Sequence, residues 1–350
     1  MKTTKEILNK SLEGRRLDRD EVVLLLNQRE PEVVNEIFTA ARTLRGRYFG
    51  NHIFAYGFVY FSTYCRNECS FCFYRKSNTE PPRYRKTTEE ITALSKALAD
   101  SGVHLIDLTM GEDNAFLKKP QRLIEVVDRV KTATGLPVMI SPGQVSEATI
   151  DALKKAGVTW YALYQETYDR ALYKKMRLKQ DYDARMNIKK YARSRGLLVE
   201  EGLLTGIGDT VESRADAMMA MGDIGVSQVR TMTFVPQRGT PLEKRRTGGS
   251  VNELLNISVM RLLYPDKLIP ASLDVEGLVG LKERLMAGAN VITSLIPPKT
   301  GLAGVSQSEL DIDDGSRSVD GVLPELEKCG LRLATRDEYQ AYIDREMAVS

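Results

Sequence analysis

The stretch YFSTYCRNECSFCFYR, residues 60–75, decides how this chain is read. Its first part ends an apolar run, YGFVYFST (56–63), whose aromatic and β-branched content and length suit a strand buried on both faces. Directly beyond that run, Cys65, Cys69 and Cys72 stand at C-x3-C-x2-C spacing. Thiolates are soft ligands that suit iron–sulfur clusters and zinc. A [4Fe–4S] cluster held wholly by protein takes four cysteines. Three are close here, and the fourth, Cys329, lies far along the chain in a segment of helical pattern. Three thiolates leave one iron open to a small molecule, which suits a cluster that performs chemistry rather than one that carries electrons. Two other readings compete. One is a Cys3His zinc site with His52 or His104 as fourth ligand, and the other is a non-catalytic iron–sulfur carrier. A zinc module would bring a second half-site and a carrier a fourth nearby cysteine; the sequence shows neither. His52, before a strand, and His104, opening one, read as structural residues.

Working outward, apolar runs of the same kind recur: VHLIDLTM (103–110), PVMIS (137–141), TWYALY (159–164), LLVEEGLLT (197–205), SQVRTMTFV (227–235), KLIPASLD (267–274) and NVITSLI (290–296). Between them lie amphipathic segments of helical length. The first opens with Thr87 and Glu90 at capping-box spacing and stops before Gly102. Others stop at Gly135, Gly157, Gly196 and Gly225. Strands alternating with helices imply a parallel sheet. Eight such units give the fold class expected here: α/β, a (βα)8 TIM-type barrel over residues 51–305, with a doubly wound open sheet as the alternative. Residues 1–50 read as an N-terminal helical extension, with Pro31 at a first helical position and Val33, Val34, Ile37, Phe38, Ala41 and Leu44 at helical spacing. The segment 236–252 is the longest loop-like insertion, expected at the strand C-terminal face. After Gly301 an acidic loop and two short helices are expected, residues 306–350 forming a C-terminal helical segment packed on the barrel.

The totals agree with such a fold. A chain of 350 residues, 42% hydrophobic and 28% charged, buries a large core. Fifty basic against 47 acidic residues leave a net charge of +3, which favours neither a nucleic-acid nor a membrane-surface partner. No apolar run reaches the roughly 18 residues of a membrane span, and the first residues lack the apolar core of a signal peptide. The expected location is the cytoplasm.

With its aromatic residue before the last cysteine, at the end of the first strand of a βα series, C-x3-C-x2-C resembles the radical S-adenosylmethionine superfamily. That resemblance implies a [4Fe–4S] cluster on Cys65, Cys69 and Cys72, whose open iron chelates the amine and carboxylate of S-adenosylmethionine. One electron, from a donor the sequence does not identify, then generates a 5′-deoxyadenosyl radical that takes hydrogen from substrate. Phe71 and the backbone near Tyr74 would lie by the adenine. Met110-Gly111-Glu112 resembles the superfamily's Gly-Gly-Glu segment, with Met in place of the first Gly, and would set Glu112 at the methionyl amine. Glu166 in YQETY, with Arg185 nineteen positions on, resembles the biotin-synthase and hydrogenase-maturase branch, where such a pair binds the ribose or amino-acid part of the cofactor. Biotin synthase itself needs ligands for a second cluster, which one spare cysteine does not supply.

Further stretches, DLTMGED (107–113), MISPG (139–143), ALYQETYD (162–169), TGIGDT (205–210), MTFVPQRGTPLE (232–243), LIPASLDVEG (268–277) and GANVITSL (288–295), resemble the methylornithine synthases of pyrrolysine biosynthesis from about residue 45 to 305. That subfamily implies rearrangement of L-lysine to (3R)-3-methyl-D-ornithine. Such a site must hold one carboxylate and two ammonium groups. Residues near strand C-terminal ends line a barrel's active site, and there the chain offers Asp107, Arg230, Ser272 and Asp274. Arg230 suits a carboxylate, and Asp107 and Asp274 suit ammonium groups; these positions also match the subfamily's ligand-binding residues. The bland alternative is a buried Asp107–Arg230 ion pair that serves the fold alone. Another small amino-acid-like substrate, turned over by a related enzyme of the same branch, is the other reading.

Overall fold

Each apolar run of the sequence becomes a strand because both of its faces are covered, one by helices and one by the barrel interior. The computed structural model describes residues 2–246, 251–297, 300–302, 304 and 317–349. Helices α1 (Thr4–Leu12), α2 (Arg19–Leu26) and α3 (Pro31–Phe49) precede strand β1 (His52–Ser62). Then come α4 (Thr88–Asp100), β2 (Leu105–Met110), α5 (Asn114–Leu117), α6 (Pro120–Thr134), β3 (Val138–Ser141), α7 (Glu147–Lys155) and β4 (Val158–Ala162). They are followed by α8 (Arg170–Met176), α9 (Tyr182–Ser194), β5 (Leu198–Thr205), α10 (Val211–Ile224), β6 (Gln228–Thr233), α11 (Val251–Leu263), β7 (Pro270–Ser272), α12 (Leu281–Met286) and β8 (Val291–Leu295). The chain ends with α13 (Val319–Lys328), a short strand β9 (Arg332–Leu333) and α14 (Arg336–Ala348).

The strands are hydrogen-bonded in the order β6-β5-β4-β3-β2-β1-β8-β7, every neighbouring pair parallel. A parallel bridge between Gln228 and Leu268 brings the two edges together: Val229 N–H donates to Leu268 O at 3.0 Å and Leu268 N–H to Ser227 O at 3.1 Å. The sheet is therefore a barrel and not an open doubly wound sheet. Two local differences from the sequence reading have simple causes. Strand β1 begins at His52 rather than Tyr56 because β9 pairs with its start, His52 opposite Arg332 and Ile53 opposite Leu333. The chain between Gly301 and Arg317 that reads as an acidic loop lies mostly outside the described residues.

Helix signals act where the sequence places them. Thr87 caps α4 and completes a capping box with Glu90, whose carboxylate accepts from the Thr87 amide at 2.6 Å. Pro31 opens α3. Gly135 and Gly225 end α6 and α10 in the left-handed region, at φ 66° and 73°. No helix among the described residues is long and apolar enough to cross a membrane.

Side chains alternate along a strand, and that alternation builds the interior. Phe54 and Tyr56 of β1, Leu105 of β2, Met139 of β3, Trp160 of β4, Leu198 of β5 and Val291 of β8 form one apolar cluster with Tyr339, Tyr342 and Ile343 of α14. Helix α14 thus plugs the floor of the barrel. Its Tyr339 hydroxyl donates to Tyr56 Oη at 2.8 Å and its Tyr342 hydroxyl to Ser227 O at 2.7 Å, so these buried phenols stay satisfied.

Candidate active site

Two residues further along each strand, the same parity points into the barrel above that floor. Asp107 and Thr109 follow Leu105, Glu200 and Gly202 follow Leu198, Arg230 follows Gln228, and Thr293 follows Val291. Above this layer a cavity opens at the strand C-terminal face. It is lined by Cys65, Cys69 and Cys72, by Phe71, Glu112, Glu166 and Arg185, and by Asp107, Arg230, Ser272 and Asp274. Each of the eight barrel strands, or the residues just after it, contributes to this lining.

The cysteine loop leaves β1 and packs directly on the segment after β2. A Cβ at Gly111 would stand 2.4 Å from Tyr64 O and 3.0 Å from Cys65 Cβ, so glycine is required for this approach. Cys65 Sγ accepts from Asn67 N–H at 3.5 Å, while Cys69 Sγ accepts from Gln180 Nε2 at 3.0 Å and faces Arg177 Nη1 at 3.7 Å. Burial pushes the Cys65 thiol up to about 11 and raises Cys72 further. Thiols in such a place need a bound cation to become thiolates. Neither histidine can join them. His104 is buried, with Nδ1 accepting from Ala55 N–H at 2.9 Å and Nε2 2.8 Å from Ala334 O, and His52 lies by Arg332 and Glu338 beside β9. The Cys3His zinc alternative is thereby overturned. Among the described residues no three Cys, His, Asp or Glu side chains close on a point as a single metal ion would require. Cys329 caps the C-terminal end of α13, three residues before β9, at the opposite face of the barrel from the cysteine loop.

The candidate cofactor residues are tied into a network of ion pairs and hydrogen bonds. Arg185 does not pair with Glu166. Its Nη1 is 3.2 Å from Glu112 Oε1, and its Nε donates to Tyr164 O at 2.9 Å. Glu112 also receives Arg66 Nη2 at 2.9 Å and the Gln144 amide at 3.2 Å. Burial works against the Glu112 carboxylate, yet Arg185, the Gln144 amide and Arg66 together hold it below its ordinary range. Gly143 leaves room for that carboxylate, since a Cβ there would fall 2.0 Å from Glu112 Cγ. Glu166 pairs instead with Arg177, Oε1 to Nη2 at 2.7 Å, and its buried Oε2 has no hydrogen-bond partner. Glu166 stands in the left-handed region at φ 68°, a strained conformation for a side-chain-bearing residue. Phe71 lines the cavity, but the Tyr74 ring does not. It is buried against Tyr60 and Phe73, with its hydroxyl donating to Gly304 O at 3.2 Å, which leaves the backbone near Tyr74, the part that the resemblance places by the adenine, as the candidate.

At the other end of the cavity the bland Asp107–Arg230 ion pair is not formed. Arg230 Nε donates to Glu200 Oε1 at 2.6 Å and Nη1 to Thr293 Oγ1 at 3.3 Å, while Asp107 Oδ1 accepts from the Thr109 hydroxyl at 2.9 Å. Burial, reinforced by the Glu200 charge, raises the Asp107 carboxyl to about 7. Gly202, opposite Arg230 in the ladder, is what admits the Tyr164 ring beside the guanidinium. Asp274 N–H donates to Ser272 Oγ at 3.3 Å, and its carboxylate is 3.7 Å from Arg317 Nη1. Burial holds Asp274 above its ordinary range against the pull of Arg317 and Arg230. Ser294, beside Ser272, is a second strained residue in the cavity wall, at φ 68°. Sequence reasoning missed Glu200, Arg177, Gln180 and Arg317. Glu200 carried a usable signal, an acid inside an apolar strand, which is the same signal that singled out Asp107.

Residues 59–221 match the radical SAM superfamily model. The 3-methylornithine synthase of Methanosarcina barkeri (strain Fusaro / DSM 804) is 44% identical over 335 residues, 96% of this chain and 95% of that protein. The 3-methylornithine synthase of Methanosarcina acetivorans is 42% identical over 95% of both chains. A crystal structure of methylornithine synthase superposes with a TM-score of 0.92 at 43% identity, covering 96% of this chain and 99% of that one. Shared identity across nearly the whole length, and the same fold over that length, lead to one conclusion: this chain belongs to the methylornithine synthase family of the radical SAM superfamily.

Proposed function

We propose that this protein is a radical S-adenosylmethionine mutase that converts L-lysine to (3R)-3-methyl-D-ornithine in pyrrolysine biosynthesis. One observation carries the reading. A single cavity places three thiols at its mouth and a charged layer, Asp107, Arg230 and Asp274, beneath them, with Glu200 bound behind Arg230. The donor set fits a [4Fe–4S] cluster on Cys65, Cys69 and Cys72. The unpartnered Glu166 Oε2 and the Arg-bound Glu112 suit the hydroxyl and ammonium groups of S-adenosylmethionine. When bound, the reduced cluster and its cofactor supply a carbon radical that removes a hydrogen atom from substrate and later returns it.

The chain's own residues would bind and orient the amino acid. Glu200 fixes Arg230 through Nε and so presents the guanidinium to a substrate carboxylate. Asp107 and Asp274 would receive the two ammonium groups. The three carboxylates of this layer, Asp107, Glu200 and Asp274, face two guanidinium groups, Arg230 and Arg317, leaving one negative charge. Lysine carries one net positive charge, so the filled site is neutral. The apolar floor of Trp160, Tyr339 and Tyr342 beneath and the barrel wall around this layer exclude water from it. The electron must come from a donor protein or reagent outside the chain.

The test uses anaerobically reconstituted protein, S-adenosylmethionine, a low-potential reductant and L-lysine, with products resolved by chromatography and mass spectrometry. A branched isomer of equal mass supports the proposal. Formation of 5′-deoxyadenosine without that isomer, with the cluster intact, refutes the lysine mutase and favours another amino-acid-like substrate of the same branch.

A further inference from the structure

The loop between α8 and α9 is built to bring two side chains to one sulfur. Arg177 ends α8, and Gln180 N–H donates back to Arg177 O at 3.1 Å. Lys179, between them, takes the left-handed region at φ 60° to close this turn. The turn sets Arg177 Nη1 3.2 Å from Gln180 Oε1, and that bond orients the Gln180 amide so that its Nε2 donates to Cys69 Sγ at 3.0 Å. Arg177 itself is buried, 7% exposed, with Nη1 3.7 Å from the same sulfur and its guanidinium 5.5 Å from the centre of the Phe71 ring. Its other end reaches Glu166 at 2.7 Å and Tyr164 O at 3.1 Å, and its Nε is buried with no partner.

The three thiols are therefore not equivalent. The donors at Cys65 are the backbone amides of Asn67 and Glu112, and the donor at Cys72 is that of Tyr74. Cys69 receives a side-chain amide and lies beside a full positive charge. In the cluster-bound protein the Cys69 sulfur is a thiolate ligand. Donors and cations at a ligand sulfur stabilise the more negative, reduced state of an iron–sulfur cluster and raise its potential.

We infer that Arg177 and Gln180 are positioning residues that set the reduction potential of the cluster through Cys69, and that Arg177 couples this potential to the cofactor site through Glu166. This rests on the radical-enzyme reading above and adds to it a control on when the cluster accepts its electron. The step is the one-electron reduction of [4Fe–4S]2+ to [4Fe–4S]+, with the electron supplied in the assay by titanium(III) citrate. A cofactor that bonds to Glu166 changes the partner of Arg177 and so shifts the potential.

The experiment is a potentiometric titration of the reconstituted cluster, followed by electron paramagnetic resonance, with and without S-adenosylmethionine. Iron and sulfide content of the wild type tests the underlying reading separately: no cluster there defeats that reading and not the inference alone. Gln180→Leu should make reduction about tenfold less favourable, a shift of about 59 mV for one electron. Arg177→Met should lower the potential further, and Arg177→Lys should recover part of the loss. Glu166→Gln, which keeps the shape and removes the competing charge, should raise the potential and abolish the shift caused by S-adenosylmethionine. Variants with full iron and sulfide whose reduction equilibrium stays within a factor of about two of the wild type overturn the inference. So does loss of the cluster from both Gln180→Leu and Glu166→Gln, which would assign the loop a purely structural role.

Discussion

Binding of lysine should release a proton at neutral pH, and the structure states where it comes from. Asp107 is buried and accepts a hydrogen bond from the Thr109 hydroxyl; burial and the Glu200 charge raise its carboxyl from 3.8 to about 7. An ammonium group requires the ionised form. Below its raised value the free protein holds a proton at Asp107, and the ligand must displace it. Affinity then falls with falling pH, halved at about pH 7 and about tenfold weaker at pH 6 than at pH 8. The ammonium and carboxylate groups of lysine keep their charges over this range, so the dependence belongs to the protein. Calorimetry in buffers of different ionisation enthalpy should count about one proton released per lysine at pH 6 and close to none at pH 8.5. Asp107→Asn should remove most of that release and weaken binding by roughly 1.5–3 kcal/mol, one to two orders of magnitude. The same shift acts on folding. A folded-state value above the unfolded one favours the protonated fold, so this contribution is complete below about pH 4 and is lost as pH rises through 7. It amounts to at most ~4 kcal/mol. Affinity that is flat from pH 6 to 8.5, with no buffer-dependent heat, would refute the placement of an ammonium group at Asp107.

Three other outcomes are expected. Cys329→Ser should retain the full iron and sulfide content after anaerobic reconstitution, because Cys329 lies at the opposite face from the cysteine loop; iron loss would mean the ligand set is wrong. Glu166→Gln should weaken S-adenosylmethionine binding by roughly tenfold in equilibrium dialysis while leaving four irons in place, since it removes one charged hydrogen-bond acceptor. Unchanged affinity would return Glu166 to a structural role. Lys189→Met should lower stability by about 3–5 kcal/mol in urea unfolding, because Lys189 is fully buried against Glu201 and its loss leaves that carboxylate without a counter-charge, held by the Gln165 and Gly202 amides; a loss below ~1 kcal/mol would show that those amides suffice.

How far the sequence reached can be traced residue by residue. The eight strands were legible because each is covered on both faces, so apolar runs stand out against amphipathic helices. Strand β9 was not, since two residues, Arg332 and Leu333, carry no pattern and pair through the backbone alone. Charge inside an apolar run exposed Asp107 and Arg230. The same run logic applies to LLVEEGLLT, but adjacent acids leave the parity open. The structure turns Glu200 inward to Arg230 and Glu201 outward to Lys189. Spacing brought Glu166 and Arg185 to the same cavity but did not show their protein partners: α9 carries Arg185 to Glu112, and the preceding loop delivers Arg177 to Glu166. In RLKQD (177–181), a polar loop without period, nothing separates Arg177 and Gln180 from solvated residues until the turn is seen.

The stacking of layers along the barrel axis says how such a site would discriminate. The aromatic floor of α14 is buried and apolar, so groups in the charged layer above it must find partners within the cavity. Glu200 already satisfies one edge of Arg230, which keeps the empty protein free of an unpaired buried guanidinium. Asp107 solves the same problem differently, by holding a proton until a cation arrives. An amino acid lacking the second ammonium group would leave one carboxylate protonated or unpaired, and a site built around buried polar groups penalises such a gap more strongly than it penalises a missing methylene. A substrate of the right length but the wrong charge is therefore rejected by the carboxylates, whereas one of the right charge but the wrong length is rejected only by packing. Ornithine, shorter by one methylene and with the same three charges, should accordingly bind less weakly than norleucine, which has the length of lysine and lacks its side-chain charge.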